Sequence, residues 1–260
     1  MKPEKYIKPC KMADDLYCFG VSGSPAHLLV TTDGLVVIDT GRPEDLDMLL
    51  SNFTELGFDP KDIRHIIHTH GHIDHVGCTK AFLDMCKAKT YIGKGDEDAV
   101  SGKNGFIWNG TPGREYKYAF EADVIVSDGD VIKIGDTDIR FVWTPGHTAG
   151  VMSLFFNVHY KGGEYLAGMY GGAGYNTLTD EYLLRFALPE TMRTDYVHGI
   201  NKIIDEPVAL HVGNHVSDND HRSKMARMTE EYNPFIEERT WRPFLTKKRD
   251  GLIELYGLKV

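Results

Sequence analysis

Residues 63–75 read Ile63-Arg64-His65-Ile66-Ile67-His68-Thr69-His70-Gly71-His72-Ile73-Asp74-His75. The run Ile63 to His68 has the short length and the isoleucine content of a buried strand. Directly after it, His70, His72, Asp74 and His75 put four potential metal ligands within six positions. On a turning loop His70 and His72 can point the same way and chelate one ion. Asp74 and His75 are then free to turn toward a second. Neutral imidazole and carboxylate together suit zinc or another borderline divalent cation. Lone histidines are usually surface residues, but three of them with an aspartate at this spacing, behind a buried strand, point to a metal site.

The pattern on either side alternates between strand and helix. Upstream, Leu16–Phe19, Leu28–Thr31 and Leu35–Asp39 are expected strands, the last two joined by the turn Asp33-Gly34. Pro43 to Phe58 follows as an amphipathic helix. Leu46, Leu49, Leu50, Phe53 and Leu56 share one of its faces, with Pro43 in the first turn and Gly57 at the end. Downstream, Thr79–Lys87 is an expected helix and Thr90–Ile92 an expected strand. Asp123–Trp143 is rich in strands around the turn Asp128-Gly129. Strands are expected again at Ser153–Val158, Tyr165–Ala167 and Val208–Val212, and helices at Asp195–Ile204 and Asn219–Tyr232. Strands followed by helices, twice over, predict an α/β chain with two sheets sandwiched between helices. The sequence has no repeat at solenoid spacing and no Pro/Ser-rich linker, so residues 1–260 are expected to form one domain.

Two further histidines stand just past apolar strands. In Thr144-Pro145-Gly146-His147-Thr148-Ala149-Gly150 the proline and glycine force a tight turn and present His147. In Val212-Gly213-Asn214-His215 the histidine again follows a short strand. His211 competes with it, but by strand register His211 falls among buried positions, whereas His215 follows a glycine in a loop. His65, His68, His159, His198 and His221 have no partners by spacing and are expected to be non-ligands.

The 260 residues carry 29 Lys and Arg against 38 Asp and Glu, a formal charge of -9. This balance argues against a nucleic-acid partner, and none is expected, since phosphate contacts need clustered basic side chains. No apolar stretch is long enough to span a bilayer, so no membrane partner is expected. The polar start MKPEKYIKPC lacks the apolar run of a signal peptide. Cys10, Cys18, Cys78 and Cys86 form no C-x-x-C pair. The expected location is the cytoplasm, or the periplasm or exterior if a leader was removed.

H-x-H-x-D-H, then T-P-G-H-T, then a late strand-end histidine resembles the metallo-β-lactamase superfamily, whose fold is an αββα sandwich. Leu56-Gly57-Phe58-Asp59-Pro60-Lys61-Asp62-Ile63, Asn233-Pro234-Phe235-Ile236 and the run from Asp128-Gly129-Asp130 to Thr148 resemble the third subclass of class B β-lactamases. The resemblance implies two zinc ions per chain, one held by His70, His72 and His147, the other by Asp74, His75 and His215. It implies a small-molecule substrate and opening of the β-lactam amide bond by a hydroxide bridging the two ions. Such pairs stand about 3.5–4 Å apart and lower the pKa of bound water toward neutrality. Asp74 would also orient the nucleophile. Asp39 has two readings, one orienting a ligand imidazole and one capping its own turn.

The sequence departs from the superfamily in one stretch. Leu166 to Asn176 contains no aspartate where glyoxalase II and the acyl-homoserine lactonases carry a bridging one, which fits the lactamase subclass. His72 stands where flavodiiron-type chemistry needs a carboxylate. Met169 and Gly171 align with serines that anchor the β-lactam carboxylate in many relatives. The alternative is therefore a hydrolase of the same fold acting on another cyclic amide, a lactone or an ester. Met169 and Tyr175 are the expected substrate contacts. The segment Gly20-Val21-Ser22-Gly23-Ser24-Pro25 is a candidate to overhang the metals; Trp108, Tyr116 and Tyr118 have two readings, groove lining and ordinary packing, of which packing is the expected one.

Overall fold

A computed structural model of the chain describes residues 6–21, 23–104 and 115–260. Among them, seven strands form one sheet: β1 (Tyr6–Lys11), β2 (Leu16–Val21), β3 (Pro25–Thr31), β4 (Gly34–Ile38), β5 (Ile63–Ile67), β6 (Lys89–Gly93) and β7 (Val124–Val126), in spatial order β1 to β7. The first four pair antiparallel, while β4 through β7 pair parallel. A second sheet runs in the order β12-β11-β10-β9-β8, from β8 (Val131–Ile134), β9 (Thr137–Trp143), β10 (Met152–Tyr160), β11 (Gly163–Met169) and β12 (Leu210–Val212). Only β11 and β12 are parallel there. The helices are α1 (Leu46–Leu56), α2 (Ile73–Val76), α3 (Thr79–Leu83), α4 (Glu97–Val100), α5 (Glu115–Tyr118), α6 (Asp180–Arg185), α7 (Thr191–Ile203), α8 (His221–Arg227), α9 (Pro234–Glu237) and α10 (Trp241–Tyr256).

The period-two alternation of the strands explains the layering. In β4, Val36 and Ile38 enter the core between the sheets, where Leu154, Phe156, Met169 and Leu210 of the second sheet meet them. Leu35 and Val37 of the same strand face outward onto Leu49 and Phe53 of α1 and Phe82 of α3. In β10 the intervening Phe155 faces Tyr196, Val197 and Ile200 of α7 with Trp241 and Leu245 of α10. Both faces of each sheet are thus buried, giving two mixed sheets flanked by helices. Each fully buried aliphatic or aromatic side chain contributes roughly 1.5–3 kcal/mol to this arrangement.

Several element bounds differ from expectation. The helix expected from Pro43 opens as a 3-10 turn, Pro43–Asp45, and turns α-helical at Leu46. The helices expected over Thr79–Lys87 and Asn219–Tyr232 shorten to α3 and α8, while α7 starts at Thr191, ahead of Asp195. Both β1 and α10 lie outside the expected elements. All four cysteines are buried free thiols. No helix of the described residues is long and apolar enough to cross a membrane.

Candidate metal centre

Strand direction collects the loops. β4 and β5 are parallel, so their carboxyl ends, which lead to Asp39 and to His70, leave the same sheet edge. In the second sheet β9, β11 and β12 all point one way, and their carboxyl ends lead to His147, to Gly174 and to His215. The backbone N–H of Met152 donates to the Thr69 carbonyl at 2.9 Å and joins the two edges.

Six side chains meet there. The ligand atoms of His70, His72 and His147 lie within 4.8 Å of one another, and so do those of Asp74, His75 and His215. The His72 Nδ1 and His147 Nε2 atoms stand 3.1 Å apart. The rings of His70 and His75 lie 4.1 Å apart between centroids, so the two groups adjoin.

Hydrogen bonds select the tautomers. The His75 Nδ1–H donates to Asp39 Oδ2 at 2.8 Å. The Nδ1 atom of His147 lies 2.9 Å from the Gly174 carbonyl, and that of His70 lies 3.2 Å from the Thr69 hydroxyl. The Thr69 hydroxyl gives its own hydrogen to Asp39 Oδ2 at 2.8 Å, so towards His70 it accepts. With each Nδ1 so engaged, Nε2 is the nitrogen of all three rings left to face a metal. The His70 Nε2 is buried and has no hydrogen-bond partner among the described residues. A buried acceptor of this kind is costly unless something binds it, so the donor set fits a divalent metal with imidazole and carboxylate ligands.

Electrostatics agree. Burial and the neighbouring imidazoles drive His70 and His147 well below the ordinary histidine range. Burial is also the main cause that brings His72 and His215 down to about 4. These rings are neutral near pH 7, the state a metal needs. Burial opposes ionisation of Asp74, but His75, His72 and Arg42 outweigh it and hold the carboxyl far below its usual value. Its Oδ2 accepts from the Ser24 hydroxyl at 2.8 Å and lies 3.6 Å from Arg42. The segment between β2 and β3 thus reaches the centre through Ser24, while Ser22 lies outside the described residues.

Asp39 is wholly buried with φ +58, a conformation that costs an aspartate energy. Of its two readings, the carboxylate follows the first. Oδ1 accepts from the Thr69 N–H at 2.9 Å, and Oδ2 from Thr69, His75 and Asn214. Thr69, Asn214 and Ser24 are contributors that the motif alone does not mark, since each acts through a fold contact.

Met169 is corrected. Its side chain is wholly buried in the core between the sheets, because strand alternation in β11 turns it inward, and it cannot touch a substrate. A Cβ on Gly171 would stand 2.1 Å from the Met152 carbonyl oxygen, so a serine does not fit there either. Within the glycine-rich stretch, the residues that border His147 are Gly172 and Gly174. Tyr175 packs its ring on Tyr196 and donates its hydroxyl to the Lys248 carbonyl of α10, which orients it toward the helix layer. Tyr118 packs beside Ile73 and Val100; Trp108 and the Tyr116 side chain lie outside the described residues. His211 is buried against Trp241 and Phe244, away from the centre. His65 and His68 bind Tyr91 and Thr79, and His159 pairs with Asp15. Beside His72 and His147 opens a cleft of about 250 Å³ whose apolar lining includes Trp143, Pro145, Tyr182, Leu188 and Met192.

The model of the metallo-beta-lactamase superfamily matches residues 19–159, more than half of the chain. A subclass B3 metallo-beta-lactamase of Bradyrhizobium japonicum has a similar structure, with TM-score 0.88, 23% identity, and 99% of this chain and 97% of that one covered. By sequence, an uncharacterized protein of Aquifex aeolicus (strain VF5) is 38% identical over 124 residues, 46% of this chain and 53% of that protein. An N-acyl homoserine lactonase of Bacillus sp is 24% identical over 160 residues, 52% of this chain and 59% of that protein. The chain spans a little over half the length of these two curated relatives.

Proposed function

Because this chain belongs to the metallo-beta-lactamase superfamily, we propose that it is a dinuclear zinc-dependent hydrolase that opens the β-lactam amide bond of a small-molecule substrate. The observation carrying this reading is the pair of adjoining ligand groups, His70/His72/His147 and Asp74/His75/His215. The likeness in fold to a subclass B3 enzyme over nearly the whole chain supports the choice of bond. Zinc ions held there supply Lewis acidity and a nucleophile drawn from water near neutral pH. The chain's own groups do the positioning. His70, His75 and His147 present Nε2 because their Nδ1 atoms are engaged. The two oxygens of Asp74 offer several lone pairs, so beside the bond from Ser24 and a bond to a metal the carboxylate keeps an acceptor for the attacking water. Its depressed pKa makes it an orienting acceptor rather than a store for the proton. The apolar cleft receives a substituent of the substrate and excludes water beside His72 and His147.

The test is hydrolysis of a chromogenic cephalosporin and a carbapenem by zinc-loaded protein beside a chelated control. Chelator-sensitive turnover at kcat/KM of about 10⁴ M⁻¹s⁻¹ or more supports the reading. Absent turnover with two zinc ions bound favours the second reading, a lactone, ester or other cyclic amide as substrate. Two observations support that alternative: a lactonase among the sequence relatives, and a cleft whose described lining residues include no lysine or arginine to hold a carboxylate.

A further inference from the structure

Asp96 stands at the start of α4, where an aspartate ordinarily accepts from the first N–H groups of its own helix. Here the side chain makes no such bond. It is buried and turned away from the helix. Oδ2 accepts from the Gly71 N–H at 2.8 Å and from the Thr148 hydroxyl at 2.7 Å, and Oδ1 accepts from the Gly150 N–H at 2.9 Å. Gly71 sits between His70 and His72, and Thr148 follows His147. One carboxylate therefore ties together the two segments that carry the first ligand group. The close approach needs glycine: a Cβ on Gly150 would stand 2.8 Å from the Asp96 Cβ, and one on Gly71 3.3 Å. Asp39 differs: it holds His75 and Asn214 and, through the Thr69 hydroxyl that accepts from His70, reaches the first group as well. None of the hydrogen bonds to Asp96 comes from His75 or from the loop that carries His215.

We infer that Asp96 is a positioning residue for the His70/His72/His147 group alone, whereas Asp39 bears on both groups. The inference rests on the reading of these groups as metal sites. Its consequence is selective: loosening Asp96 weakens the first site and spares the second. A carboxylate that merely held loops in place would shift stability without discriminating between sites.

The experiment is equilibrium titration of the full chain with cobalt(II), read by visible absorption against a competing chelator. Wild type is compared with Asp96→Asn and with His147→Ala, which marks the spectrum of the first site by its loss. Asp96→Asn keeps one acceptor oxygen but turns an NH2 toward the remaining donors. The expected result is a 10- to 100-fold weaker first site, with the second site within about threefold of wild type. Affinity unchanged from wild type at both sites, or equal weakening of both, overturns the inference. Wild type that binds no cobalt overturns the metal reading itself, a different result from wild type binding two ions with Asp96→Asn unchanged. If Asp96→Asn does not fold, Thr148→Val, which removes one donor and leaves the carboxylate, carries the same expectation at about 10-fold, the lower end of that range.

Discussion

His75 can bind a metal through Nε2 because Asp39, 36 positions earlier in the chain, fixes its other nitrogen. Burial disfavours charge on both groups, yet each favours the ionised form of the other, so Asp39 is held below and His75 above its ordinary pKa. Asp39→Asn removes the acceptor and the charge together. It is expected to weaken zinc at the Asp74/His75/His215 group by 10- to 100-fold, measured by competition with a chelator. Asp74→Asn is expected to lower kcat by about 10²-fold or more with the fold retained, because it loses both a ligand and the acceptor for the attacking water. Met169→Ser tests the correction at β11. With its side chain in the core, the serine is expected to cost about 3 kcal/mol in urea denaturation, combining a cavity with a buried hydroxyl. It is expected to leave KM for a carboxylate-bearing substrate unchanged. A lower KM with stability retained would return this position to the substrate.

At the scale of elements, α1 is legible because five apolar residues fall on one face without interruption, whereas α10 breaks that pattern. Lys247-Lys248-Arg249-Asp250-Gly251 crosses its middle, and only Trp241, Leu245 and Leu252 are fully buried. It forms because the outer face of the second sheet needs a cover: Trp241 packs on Phe155, and its indole N–H donates to the Ile203 carbonyl at 2.9 Å. Two leucines of this one helix separate burial from propensity. Leu245→Ala is expected to destabilise by about 2–5 kcal/mol, and Leu255→Ala, at a position 61% exposed, by no more than about 0.5 kcal/mol. Similar losses at both positions in urea melts would contradict the packing assigned to α10.

Across the whole molecule, buried histidines shape the response to acid, those outside the ligand groups as well as those within them. Burial brings His27 and His211 down to about 3, and His68 and His221 to about 4. In the unfolded chain each takes a proton near pH 6.5. Between about pH 4 and 6.5 the unfolded state therefore binds more protons than the folded one, and stability rises with pH. The metal-free protein is expected to lose stability progressively as pH falls from 7 to 5, each such histidine adding up to about 1.4 kcal/mol per pH unit. Denaturant melts at pH 7.5, 6.0 and 5.0 in excess chelator check this. A flat profile would mean that these rings are protonated inside the fold. With zinc bound the profile is expected to lie higher, since ligand that binds only the folded state adds to its stability.

The local sequence by itself marked the layering of two sheets between helices and four of the six candidate ligands, His70, His72, Asp74 and His75, while the assignment of His147 and His215 rested on the family resemblance. Hydrophobic period is a local property, and ligand chemistry resides in residue type and in a spacing of a few positions. The apolar runs of β4, β5 and β10 and the motif from His70 to His75 needed no distant information. The tertiary structure decided what distance in sequence hides. It pairs Asp39 with His75 and Asp96 with Gly71, Thr148 and Gly150, and it turns Met169 into the core while Tyr175 leans on α10. A carboxylate side chain has the same local signature whether it caps a turn or orients an imidazole. Which partner it meets depends on strand direction and on the packing of one sheet against the other.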